Sequence, residues 1–350
     1  MTHVFMDNVQ IYAMIKNYSL FYFLTTKSIL NCTMFPKEQV DQIMLDNKNI
    51  KFGVTYIVVA LFCLCVHIPC LIALFEKHHR KHLCFKILIS IAVFDLISIV
   101  NVGLISGVFA CMGMVACSAP TFMLISGAVT YTFFVSHTTA TIFLVLTRVI
   151  EIWNHLYIER LFGDIKIYLW VFPLSMYVFY IVMFTQPMTF SSVILTWTFD
   201  PLVGMDLPGH KIVGSIAHTF NNAFYIISTI TMYVVLIGIY LKKTSSSSIH
   251  NQNQTVRLTV QIFIIGIVDS ITCTIFILID FIPMETNFYV YANLMWLFQH
   301  VVQSLILTIF NKNIRRTIKS NILGPEKTNI KTIIQPKRDS FIFKTKISPK

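Results

Sequence analysis

The sequence predicts an all-α integral membrane protein, a bundle of seven transmembrane helices with the N-terminus outside and the C-terminus in the cytoplasm. Three observations carry that reading. The 350 residues are 55% hydrophobic and only 12% charged, against about 45–50% and about 25% in ordinary soluble domains, so a soluble fold could not cover the apolar surface. Seven stretches reach the roughly 20 mostly apolar residues that a hydrocarbon core about 30 Å thick requires. Of the 27 Lys and Arg, 21 fall on one side of the membrane those stretches define, the bias that marks the cytoplasmic face.

Residues 1–52 form an extracellular N-terminal segment. Apolar runs between Phe5 and Leu24 are broken by Asp7 and Lys16, so no cleavable signal peptide is expected. The sequons Asn17-Tyr-Ser and Asn31-Cys-Thr lie in this segment and become glycosylation sites if it faces the lumen. A third, Asn253-Gln-Thr, lies between the fifth and sixth spans and so on the opposite side.

Residues 53–310 form the bundle, with spans at about 53–75, 85–107, 122–147, 166–185, 219–241, 258–281 and 288–310. Links such as Glu76-Lys-His-His-Arg-Lys-His and Lys242-Lys-Thr-Ser-Ser-Ser-Ser have no place in a membrane core. A strand barrel would need alternating segments of about 10 residues, which are not present. Over 311–323, Ile314, Ile318 and Ile322 recur every four residues among basic side chains and stop at Gly324-Pro325. That pattern predicts a short amphipathic helix on the anionic lipids of the inner leaflet. Residues 324–350 are Lys-rich and aperiodic, a disordered basic cytoplasmic tail. The net charge of +11 would suggest nucleic acid in a soluble protein, but here it sets topology, and no nucleic-acid partner is expected.

Two carboxylates sit where they are expensive. Asp95 is ten residues into the second span and Asp269 eleven into the sixth, about 15 Å from either face. An acid there costs at least about 2.5–3.5 kcal/mol, so it faces the bundle interior and finds a partner or stays protonated. It serves either as a structural tie between helices or as a protonation or ion-sensing switch. The third span carries Ser126, Thr130, His137, Thr141 and Arg148 within a sector about 60° wide at about 100° per residue, a face that must meet protein or water. His137 there is a satisfied core histidine or a ligand contact. Arg148 points along the same face at the inner end, and Glu151, one turn on, is placed to pair with it at rest.

Polarity and depth select Tyr131, His137, Asn221, Asn222 and Trp296 as candidate lining groups for a small molecule entering from outside between the third, fifth, sixth and seventh spans. Of the eight cysteines only Cys32, Cys111 and Cys117 reach the oxidising side, so one internal bridge at most can form there. Enzyme signatures are absent: no His-Glu-x-x-His occurs, and the acids lack the aspartyl-protease context. The last span has no Schiff-base lysine for retinal. No cofactor, metal or catalytic residue is expected. A transporter using Asp95 and Asp269 as a relay stands as the alternative, although no repeated halves are visible.

Seven local pieces, in order, resemble one family. They are Asn31-Cys-Thr, His67-Ile-Pro-Cys-Leu, Cys117-Ser-Ala-Pro-Thr-Phe, Thr147-Arg-Val-Ile-Glu-Ile-Trp, Trp197-Thr-Phe-Asp-Pro, His218-Thr-Phe-Asn-Asn and Asn311-Lys-Asn-Ile-Arg-Arg. The chain is similar to the nematode serpentine receptors of class T, seven-helix chemoreceptors placed beside rhodopsin-like G-protein-coupled receptors. It departs from the wider pattern in having Thr147 before Arg148, no Cys-Trp-x-Pro in the sixth span and Thr-Ile-Phe-Asn ending the seventh. The resemblance implies a sensory receptor of the plasma membrane, in the cilia of chemosensory neurons, that couples to a heterotrimeric G protein. It also puts Cys32 and Cys117 in matching motifs, which implies a bridge between them in preference to Cys111 with Cys117. Depth and helix face, rather than the resemblance, make Asp95, Arg148, Glu151 and Asp269 the candidate switch residues.

Overall fold

A computed structural model describes residues 20, 32, 35–77, 83–154, 156–163, 166–205, 214–244, 253–282 and 284–323. The predicted glycosylation sites Asn17 and Asn31 and the predicted tail at 324–350 lie outside these residues.

The first described helix, α1 (Lys37–Asp46), leads into α2 (Ile50–Leu74). Asn49 caps α2 by accepting a hydrogen bond from the Phe52 amide at 3.2 Å, which satisfies one of the donors a helix start leaves over. The next helix, α3 (Leu83–Met112), is interrupted by a π-helical segment at Val100–Ile105. Ser106 there donates its hydroxyl to the Asn101 carbonyl at 3.0 Å, part of the polar compensation that a locally widened helix needs. Gly113 ends α3 at a φ of 72°, a left-handed conformation suited to glycine. A Cβ there would also collide with the Met44 carbonyl of α1.

Further along are α4 (Pro120–Trp153), with proline in its first turn, the short α5 (Leu156–Phe162) and α6 (Lys166–Phe184). A hairpin of β1 (Thr189–Ser191) and β2 (Thr196–Thr198) pairs Phe190 opposite Trp197. It is followed by α7 (Ile216–Thr244), α8 (Asn253–Phe281), α9 (Thr286–Phe310) and α10 (Lys312–Leu323).

Among the described residues, α2, α3, α4, α6, α7, α8 and α9 are long and apolar enough to cross a membrane, so the protein is a multi-pass membrane protein with a seven-helix bundle. In α4 and α9 the most apolar stretch is 61% buried, but in α6 it is 6% buried. The third and seventh spans therefore form the centre, and the fourth leans on the outside. Between α2 and α3 the backbones approach closely where Gly53 and Gly107 meet: a Cβ on either would stand 2.7 Å from the carbonyl oxygen of the other. Small residues permit such approaches in membranes, where close packing rather than the hydrophobic effect holds helices together.

Two helices run further than their apolar stretches. The second span continues past Gly107 because the Ala110 carbonyl accepts from the Asn49 amide at 2.9 Å, tying its last turns to the corner between α1 and α2. The third continues past Thr147 to Trp153, which places Arg148 and Glu151 in unbroken helix. In α10, Asn311 caps the start by accepting from the Asn313 and Ile314 amides at 3.1 and 3.3 Å. Ile314 is buried with Leu71, Leu74 and Leu307, Ile318 packs partly beside it, and Ile322 is exposed. The stripe read as a membrane-facing edge thus begins in protein.

Candidate functional site

Near the middle of the bundle, side chains from five spans converge. His137 of α4 faces Asp95 of α3 through Nδ1 at 2.7 Å and Asp269 of α8 through Nε2 at 3.1 Å. His300 of α9 faces the same Asp95 Oδ1 through Nδ1 at 2.8 Å. Tyr225 of α7 donates its hydroxyl to Asp269 Oδ2 at 3.0 Å. All five side chains are fully buried. Isolated ions in such a place are prohibitively costly, so pairing and hydrogen bonding are the condition for their presence. The pairing here is incomplete: Asp95 Oδ2, Asp269 Oδ1 and His300 Nε2 have no partner among the described residues.

His137 does not behave like its neighbours on the polar face of α4. Ser126 and Thr130 turn back onto the Phe122 and Ser126 carbonyls, each at 2.8 Å, which is the packing role small hydroxyls play. His137 instead spans two helices. Arg148, 6% exposed toward the C-terminal end of that face, forms an ion pair with Glu151.

A second buried group lies nearer the hairpin. His218 meets Asp280 Oδ2 through Nδ1 at 2.9 Å, and Thr219 donates to the same oxygen at 3.3 Å. Asn222 stands 3.1 Å from His218 Nε2, and Asn221 accepts from the Tyr177 hydroxyl at 3.0 Å. Phe199, Phe134 and Tyr131 surround the His218 ring at centroid distances of 4.7, 5.7 and 6.2 Å. From Phe134 the aromatic contacts run to Trp296 at 5.6 Å and on to His300 at 6.3 Å.

The hairpin closes this end. Trp197 donates its indole N–H to Ser106 Oγ at 2.8 Å, and Tyr56 donates to the Leu195 carbonyl at 2.8 Å. Phe190, Leu195, Trp197 and Phe199 are all buried. Among the described residues, Tyr131, His137, Asn221, Asn222 and Trp296 are therefore buried beneath aromatic side chains and do not open onto a vestibule. A void of only about 10 Å³, lined by Trp197, Phe199, Phe276, Asp280 and Tyr289, lies beneath the hairpin. Larger grooves, about 320 and 220 Å³, lie between α3, α4 and α6 and between α7 and α8, and none of the five candidates lines them. Cys32 and Cys117 form a disulfide with Cα atoms 5.5 Å apart, while Cys111 is free.

Sequence reasoning linked Asp95 and Asp269 only as the relay of the alternative reading and did not join His137 to them. It passed over His300, Tyr225 and Asp280, and it met His218 only inside a motif. A signal was present for His300. Asn293, Trp296, His300, Gln303 and Ser304 of α9 fall within a sector about 100° wide at about 100° per residue, and all five are buried.

The family described as serpentine type 7TM GPCR chemoreceptor Srt matches residues 18–332. No curated protein matches the chain.

Proposed function

The chain belongs to the Srt family of serpentine chemoreceptors, and from that premise we propose that an external small molecule switches the buried polar tie and that a heterotrimeric G protein reads the result at the cytoplasmic face. Under this reading the N-terminus with Asn17 and Asn31 lies outside and the tail inside, since 21 of the 27 Lys and Arg then fall on the inner side. The receptor resides in the plasma membrane, at the sensory cilium of chemosensory neurons, and α10 rests its exposed basic face on anionic lipids of the inner leaflet.

The observation that carries the proposal is the Asp95–His137–Asp269 bridge, extended by His300 and Tyr225. It joins the second, third, fifth, sixth and seventh spans through a few short hydrogen bonds. Spans joined in that way separate only if several bonds break together, so the tie has two arrangements rather than a graded range. A ligand biases such an element only by its differential affinity for the two states. The place for it is under the hairpin, among Tyr131, Asn221, Asn222 and Trp296. There, contacts with Phe199 and His218 lead through Phe134 and Trp296 to His300. Binding requires the aromatic plug to move aside. At the inner end, Arg148 leaves Glu151 and turns toward the G protein.

The test is a screen of odorants on cells that express the receptor with defined G-protein subunits, read by nucleotide exchange. Agonist-dependent exchange supports the proposal. Agonist-evoked current without G protein would instead favour an ion or solute transporter, in which His137 relays between Asp95 and Asp269. The direct contact of that imidazole with both acids is the reason this second reading belongs in the experiment.

A further inference from the structure

The central cluster sets two carboxylates against two imidazoles. Asp95 and Asp269 bring two negative charges into the middle of the bundle. Both ring nitrogens of His137 face carboxylate oxygens, at 2.7 and 3.1 Å, so even as a cation that ring supplies one positive charge. His300 is the other group able to carry a positive charge here, since among the described residues no lysine or arginine reaches these acids within ion-pair distance. A net charge buried that deeply in a membrane protein has to be compensated. Asp95, His137 and His300 each present one donor atom, all within 4.8 Å of one another. The polar atoms left over, Asp95 Oδ2, His300 Nε2 and the hydroxyl of Ser98 one turn beyond Asp95, are buried and unpartnered.

We propose that Asp95, His137 and His300 form a binding site for a divalent transition-metal ion of the Zn²⁺ type. Two imidazoles and one carboxylate suit such an ion, whereas Mg²⁺ and Ca²⁺ prefer all-oxygen shells. The outer shell is already in place. With the metal on Nδ1 of His137, the Nε2–H donates to Asp269 Oδ2, and Asp269 is held in turn by the Tyr225 hydroxyl. A carboxylate behind a ligating histidine is the usual way its tautomer and ring angle are set. Tetrahedral donors about 2.0–2.1 Å from zinc stand roughly 3.4 Å apart. The Asp95 contacts to His137 and His300, now 2.7 and 2.8 Å, therefore open by roughly half an ångström as the ion replaces their shared protons.

Protons leave the ligating atoms on binding. His137 releases its Nδ1 proton to solvent, and His300 moves its proton from Nδ1 to the unpartnered Nε2. The dication with two carboxylates and two neutral imidazoles then leaves no net charge. Ser98 or a water completes four-coordination. The ion clamps the second, third and seventh spans together, so the site favours the closed arrangement of the bundle.

The test uses the full chain, tag removed, purified from zinc-supplemented cells into lipid nanodiscs. Wild type is expected to retain about one zinc per receptor after desalting, and the His137→Gln/His300→Gln double variant only background. Metal held adventitiously by His78, His79 and His82 is the same in both, so the difference reports the buried site. Exchange with Co²⁺ should give the visible absorption of a four- or five-coordinate ion in wild type alone. Asp269→Asn should weaken affinity by roughly 10–100-fold as an outer-shell loss. Where the double variant does not fold, wild type stripped by a chelator and then reloaded decides: its melting temperature should fall and recover. Equal zinc in wild type and double variant, an aqueous-type Co²⁺ spectrum, or a melting temperature indifferent to chelation and reloading would each overturn the site.

Discussion

Replacing Cys32 with Ser should cost the receptor several kcal/mol, and the amount follows from what its disulfide encloses. Cys32 and Cys117 are 85 residues apart. In the chain-entropy estimate a closed loop of that length contributes about 4.6 kcal/mol. That value treats the whole loop as flexible when unfolded, yet α2 and α3, 25 and 30 residues long, remain helical in a bilayer or micelle because their backbone groups have no water to bond. About 30 flexible residues are left, for which the same relation gives about 3.6 kcal/mol. The expected loss is thus about 3.6–4.6 kcal/mol, measured as reversible unfolding in mixed micelles. Cys117→Ser should lose the same amount, the double variant no more than either, and Cys111→Ser should change little. Wild type treated with a reductant should join the variants. A loss below about 1 kcal/mol, or Cys32 in folded receptor reacting with an impermeant thiol reagent, would refute the bridge.

Glycosidase should shift the mobility of the protein, and replacing Asn17 and Asn31 together should abolish the shift; sugar on Asn253 would reverse the topology. Asp95→Asn retains shape but removes one charge from an oxygen contacted by His137 and His300, so surface expression should hold while basal or agonist-driven output changes. Dose–response curves that superimpose on wild type would remove Asp95 from the switch. Arg148→Ala should keep surface expression yet lose agonist-stimulated nucleotide exchange, whereas Arg160→Ala, exposed on α5, should leave it unaltered. Full exchange by Arg148→Ala at matched surface level would end the coupling role.

The amino-acid sequence by itself determined the seven spanning helices, because each span must satisfy its backbone internally and present apolar side chains to lipid, and both demands are local. The polar face of the third span was legible for the same reason: helical periodicity turns spacing into direction. Asp95 and Asp269 stood out individually through the cost of placing an acid at that depth. What spacing does not contain is which spans adjoin and how each is rotated. Packing of close-approaching backbones decides that, and it alone brought His137 between the two acids and His300 onto Asp95. The hairpin over the candidate ligand groups was invisible for a related reason. Residues Thr189–Thr198 are too short and too mixed to show a strand period, and they are held by contacts with Tyr56, Ser106 and Phe109, more than 80 residues away in the chain.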